Sequence, residues 1–158
     1  MEKIISVVVS SVVSFVVAYL TVRNERKKMF NELITKERLN YLHELRDLIA
    51  QFCECALIKR PSCKTDLQAL SVKIKLRMNP KSDYGVQWDK NAMELIEKIV
   101  KNFGMDDETN LVGELIELMQ SWFDLEWKGI TAEGREGVLS PLKKAKLNLE
   151  VYNRYLSK

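Results

Sequence analysis

Residues 4–22 read IISVVVSSVVSFVVAYLTV, nineteen consecutive positions without a charged side chain. As a helix rising about 1.5 Å per residue, the run covers about 28 Å, the thickness of a bilayer's hydrocarbon core. A core helix of a globular domain rarely needs so long an uncharged stretch. A cleaved signal peptide is the rival reading, but its apolar region is usually shorter and ends at a small-x-small site. Here the run closes on Tyr19-Leu20-Thr21-Val22 and meets Arg23-Asn24-Glu25-Arg26-Lys27-Lys28, a stop-transfer flank. Residues 1–23 are therefore expected to form a transmembrane anchor. The cations Arg23, Arg26, Lys27 and Lys28 outnumber Lys3 on the other side, which by the positive-inside rule directs residues 24–158 to the cytoplasm. The expected location is the cell's inner membrane, single-pass. The same four cations are placed to meet anionic lipid headgroups.

Within the run, Ser6, Ser10, Ser14 and Ala18 recur every four residues and so share one helix face. Between helices in lipid no hydrophobic drive operates, and small side chains that allow close approach supply the packing. The stripe predicts a homo-oligomer; a lone anchor that merely tolerates serine is the alternative. A pore lined by Ser6, Ser10 and Ser14 would use the same stripe.

From Asn24 to Lys59 no Pro or Gly intervenes. Ile34, Tyr41, Leu45, Leu48, Phe52 and Cys55 step by threes and fours, with Arg38 in the seam, and Leu42, Ile49 and Ala56 widen the stripe. A long helix over 24–60, serving as stalk and then core, is expected to stop at Pro61. Residues 62–78 fit a strand through Leu70, Val72, Ile74, Leu76 and Met78, or a helix through Leu67, Leu70, Ile74 and Met78. Without a partner strand the helix is preferred, closed by Asn79-Pro80. Further helices are expected over 88–103, capped by Gly104, and over 108–128, ending at Gly129. Residues 129–137, with three glycines, read as a loop. Ser140-Pro141 opens a last helix whose expected buried face is Leu142, Leu149, Tyr152 and Leu156. The fold class is all-α: a transmembrane helix, then a cytoplasmic bundle of about five helices.

Composition excludes several functions. A net charge of +3 is too small to argue nucleic-acid binding. Cys53, Cys55 and Cys63 are odd in number and fall in a reducing compartment, so free thiols are expected rather than a disulfide framework. Cys53 and Cys55 point about 200° apart on a helix, and a structural zinc site wants four ligands; with His43 the sole histidine, no metal or other cofactor is expected. Gly-rich phosphate loops and nucleophile elbows are absent from the sequence.

Arg38 and His43 stand five positions apart, a spacing similar to the catalytic motif of HEPN-type ribonucleases, which are helical bundles that dimerise to join two such pairs. There His43 would be the general acid/base and Arg38 would stabilise phosphate charge. Five residues turn a helix by about 140°, which separates the two side chains. The plain readings are an interfacial Arg38 paired with a carboxylate and a solvated His43. Glu126, Trp127, Lys128, Glu133 and Arg135 form a mixed cluster that could bind a partner. The basic groups Lys73, Lys75, Arg77 and Lys143, Lys144, Lys146 read as solvated surface.

Lys36-Glu37-Arg38, Tyr41 and Glu44-Leu45-Arg46-Asp47-Leu48-Ile49, followed downstream by Leu125-Glu126-Trp127-Lys128 and Glu133-Gly134, resemble a group of short bacterial membrane proteins with a cytoplasmic helical domain. The layout is also similar to the small membrane accessory proteins of type VI-B CRISPR systems, which join an N-terminal span to a HEPN-like domain and assemble into a pore. That likeness is one of architecture, not of aligned motifs. The resemblance implies anti-phage defence. The expected function is thus a membrane-anchored, self-associating protein acting by interaction and perturbing the inner membrane. A membrane-tethered HEPN-like ribonuclease and a passive adaptor are the alternatives. Expected partners are membrane lipids, further copies of the chain and a protein encoded nearby, but not nucleic acid.

Overall fold

A computed structural model describes residues 2–58, 63–79, 86–105 and 108–157, with the side chains of 2–12, 26, 27, 30 and 108 left out. Every described element is helical: α1 (Glu2–Ile58), α2 (Cys63–Lys75), α3 (Trp88–Lys101), α4 (Glu108–Glu136) and α5 (Pro141–Leu156). The chain divides into two compact units, Met1–Leu39 and Asn40–Lys158.

In the first unit α1 is the only described element, and its described side chains are exposed or half-buried. Ile34, expected in the buried seam, is 42% exposed. The apolar spacing is there, but its own unit offers it nothing to pack against. Among the described residues no helix is long and apolar enough to cross a membrane. The side chains of Ile4–Val12, the first half of the uncharged run, lie outside those residues.

The second unit is an all-α bundle that holds the whole described core, from Leu42 to Val151. The last turns of α1 bury Leu42, Leu45, Ile49, Phe52 and Ala56 of the expected stripe, whereas Tyr41, Leu48 and Cys55 of its seam are half-buried and Cys53, outside it, is buried. Helix α2 buries Cys63, Leu67, Leu70, Ser71 and Ile74, while Val72 and Leu76 stand exposed, so the helical period wins over the strand alternation. α2 packs on α3, α3 on α4 and α4 on α5. α3 closes at Lys101, and Gly104 takes φ +87°, a left-handed conformation that glycine adopts without Cβ strain. Fully buried side chains such as Phe52, Leu67, Ile96 and Leu115 each contribute about 1.5–3 kcal/mol by leaving water.

Two expectations fail here. Residues 129–137 are not a loop: α4 continues through Gly129 and Gly134 to Glu136. The turn falls at Gly137, which has φ +83° and donates its N–H to Glu133 O at 2.9 Å. Two internal glycines cost about 1 kcal/mol each relative to alanine. Burial of Ile130 and the ion pairs Glu133–Lys144 (3.0 Å) and Glu136–Lys143 (2.6 Å) onto α5 offset that cost.

The buried face of α5 is also not the leucine face. Leu142, Leu149 and Leu156 are exposed, and Tyr152 is half-buried. The helix turns Asn148 and Val151 inward, the latter about 200° round from Leu149. Asn148 belongs in the core because its Oδ1 accepts the Trp88 Nε1–H at 2.6 Å, between two buried groups. Tyr152 and Tyr155 meet the same indole edge-on, at 5.6 and 5.7 Å between ring centroids. The start of α5 follows expectation: the Ser140 side chain accepts from the Lys143 N–H, and Pro141 occupies the first turn.

Candidate functional site

Between the last turns of α1 and the middle of α4 lies an open groove of about 640 Å3, within the second unit. Its walls follow directly from helical periodicity. Arg46, Ile49, Ala50 and Cys53 occupy one face of α1, and Ile116, Met119, Gln120, Phe123, Asp124 and Trp127 one face of α4. Ala50 and Cys53 are short side chains opposite long ones, which leaves the space open. The lining is chiefly apolar, and Trp127 is 58% exposed at its edge.

Charge is confined to the rim. The Arg46 guanidinium lies 4.8 Å from the Phe123 ring centroid, a cation–π contact. Among the described residues it has no carboxylate partner. Asp124, by contrast, has its Oδ2 2.8 Å from Lys128 Nζ and 3.5 Å from Arg154 Nη1. Burial pushes the Cys53 thiol up to about 11, so the groove's sulfur stays protonated and is a poor nucleophile at neutral pH. The wall is thus an apolar surface with its charges, Arg46 and Asp124, at the edge.

A second, polar cluster joins α1 to the segment between α2 and α3. Tyr41 donates its hydroxyl proton to Arg77 O, while Arg77 Nη2 donates to Glu44 Oε2 at 2.8 Å. Asp89, in the first turn of α3, accepts the Asn79 N–H at 2.6 Å. Burial, with a smaller contribution from Glu126, raises Asp89 above the usual carboxylate range despite hydrogen bonds from Asn79 and Trp122. The Tyr41 hydroxyl is pushed up to about 12, by burial first and then by Asp89 and Glu126. Each polar group here has an internal use, so the cluster reads as a strut between helices.

Of the residues singled out from sequence, Cys53 and Trp127 line the groove, whereas the small-residue stripe, the headgroup cations, Arg38 and His43 do not. Ser6, Ser10, Arg26 and Lys27 lie outside the described side chains; Ser14, Ala18, Arg23 and Lys28 are exposed on α1, with Lys28 4.0 Å from Glu32. Arg38 is half-buried. His43 is exposed and has neither a hydrogen bond nor an ion pair among the described residues, so nothing orients it as a general base. Cys53 and Cys63 are buried and Cys55 half-buried, all as free thiols. No group of three or more His, Cys, Asp or Glu that could hold a metal occurs among the described residues.

Four members of the basic groups pair with acids: Lys75 with Glu97 at 2.7 Å, Arg77 with Glu44, and Lys143 and Lys144 with the end of α4. Of the mixed cluster near the end of α4, Trp127 alone lines the groove. The two segments that carry the sequence resemblance converge in space: Arg46 and Ile49 share the groove with Trp127, and Glu126 acts on Tyr41. The signal for the groove was a surplus of apolar residues on α4. Ile116, Phe123 and Trp127 form a second stripe beside the core stripe of Leu115, Leu118 and Trp122. Comparison of the chain with protein-family models, with curated proteins and with solved structures finds no match.

Proposed function

We propose that the chain is a membrane-anchored, self-associating helical protein that acts by interaction rather than catalysis. Residues 1–23 serve as the anchor in the inner membrane, and 24–158 form the cytoplasmic domain. The observation that carries this reading is the uncharged run 4–22, together with the exposure of its described part. Phe15 is 75% exposed and Tyr19 60%, with Val13, Val16, Val17, Leu20 and Val22 also exposed. An unbroken apolar helix surface of this kind calls for a cover of lipid or of neighbouring copies. Exposed Ser14 and Ala18 continue the small-residue stripe begun by Ser6 and Ser10, and Arg23 and Lys28 stand where headgroups would meet them.

The biological role that fits such an assembly is that of an anti-phage effector which perturbs the inner membrane once its cytoplasmic domain is engaged. Extraction in mild detergent followed by light scattering tests the assembly. A single defined oligomer is expected, and Ser10→Leu with Ser14→Leu is expected to break it and to remove toxicity on overexpression. A monomer in both proteins would refute self-association and leave a passive membrane adaptor. Recovery of the wild-type chain in the soluble fraction would refute the anchor.

A further inference from the structure

We propose that the groove between α1 and α4 binds a single-chain amphiphile of fatty-acid type, its tail against Ile49, Phe123 and Trp127 and its carboxylate on Arg46. The size, lining and charge of the groove each narrow the ligand. At about 640 Å3 it falls within the range of small-molecule sites, about 300–1,000 Å3. The groove wall on α4 runs from Ile116 to Trp127, about 17 Å at the helical rise. A protein partner needs about 800 Å2 of surface on each side, more than one slot of this length supplies.

The charge is selective. Asp124 is already paired with Lys128 and with Arg154, which Glu150 also contacts at 3.4 Å, so among the charged residues of the lining Arg46 is the one without an oppositely charged partner among the described residues. The Arg46 guanidinium lies over the Phe123 ring, which leaves its in-plane N–H donors available for a bidentate carboxylate. A neutral or cationic head would forgo that contact. The length and single slot favour one alkyl chain over a two-chain phospholipid. The site belongs to the second unit and does not depend on residues 4–22 spanning a membrane.

The full chain, reconstituted in phosphatidylcholine nanodiscs, is photolysed with a diazirine-bearing dodecanoate and the adducts are mapped by mass spectrometry. Adducts are expected within 49–53 and 116–127. Unlabelled dodecanoate displaces them, and decanoate needs about tenfold more, as expected for two fewer buried methylenes. Arg46→Glu, on an exposed side chain, weakens groove labelling tenfold or more; Ala50→Trp, also at an exposed position, fills the groove and abolishes it. Circular dichroism melts confirm that both variants remain folded. Adducts confined to residues 4–22, displacement by dodecylamine as effective as by dodecanoate, or labelling unchanged in both variants would each overturn the proposal. Flotation of the same sample reports on the anchor separately, and groove labelling of protein that does not float refutes the anchor while upholding the groove.

Discussion

Replacement of Asn148 by leucine removes the acceptor of the Trp88 indole N–H while keeping the number and branching of the side-chain heavy atoms. Trp88 is 3% exposed and Asn148 4%, and their hydrogen bond spans 2.6 Å. In Asn148→Leu the Trp88 Nε1–H has lost its acceptor and, with Tyr152 and Tyr155 packed against the indole, has little access to water. A buried donor left without a partner costs about 1–3 kcal/mol, more than the net worth of an average hydrogen bond. For a unit of this size that is a loss of about 4–12 °C in melting temperature. Trp88→Phe removes the donor instead, adding the loss of the larger ring's packing.

Joining the two changes is the decisive arm. With both partners apolar no desolvated polar atom of this pair remains, so the double variant should lie about 1–3 kcal/mol above the sum of the singles. Thermal and urea melts of the four proteins, followed by circular dichroism and tryptophan fluorescence, give the coupling. Additive losses, or an Asn148→Leu variant that melts with the wild type, would refute the hydrogen bond as the reason a polar residue faces the core.

Three further outcomes follow from local geometry. Gly134→Ala should stabilise the chain by about 1 kcal/mol, because Gly134 lies inside α4 with open space around an added Cβ. Gly137→Ala should destabilise it, because φ +83° strains any L side chain; equal effects in chemical denaturation would place the end of α4 elsewhere. Asp89 has a folded pKa above its ordinary 3.8, so the folded state binds the proton more tightly and this group's contribution to stability rises as pH falls toward 3.8. Asp89→Asn keeps an acceptor for the Asn79 N–H and should be at least as stable as wild type at pH 7, with the gap closing toward pH 4 in urea melts. Tyr41, at about 12 against an ordinary 10, should titrate late in ultraviolet difference spectra. Its contribution to stability is complete below pH 10 and is lost as pH rises toward 12; Tyr41→Phe should remove both signals.

The helical class and the start of each helix in the second unit are legible because they rest on local signals. For residues 62–78 the spacing of Leu67, Leu70, Ile74 and Met78 allows a helix and the lack of a partner strand decides for it, and Ser140-Pro141 announces α5 by capping chemistry alone. The end of α4 is not legible, because Gly129 and Gly134 argue locally for a loop. What overrides them is tertiary: a buried Ile130 and two ion pairs to a helix that begins after the turn. The inward face of α5 is hidden for a related reason. Counting apolar residues favours Leu142, Leu149 and Leu156, whereas the packed face depends on Asn148 finding an indole sixty residues away. Arg38 and His43 draw the eye as a spacing, yet spacing carries no information about whether a histidine will be oriented.

The groove shows why a site of this kind escapes sequence reading and yet follows from it. Helix α4 carries more apolar surface than one neighbour can cover: Leu115, Leu118 and Trp122 are buried in the core, while Ile116 remains half-buried and Trp127 exposed. On the facing turns of α1, Ala50 and Cys53 stand where longer side chains would have closed the gap. Filling that gap from within would bury more apolar area and stabilise the fold by about 25 cal/mol for each Å2 removed from water. The chain instead leaves the surface open beside an arginine without a carboxylate partner among the described residues, and spends its nearby acid, Asp124, on two other cations. Poor packing alone would not segregate charge in this way. An apolar trough with one unsatisfied cation at its rim is complementary to a molecule with a long apolar tail and one anionic head, and that complementarity connects the small residues of α1 to a binding role.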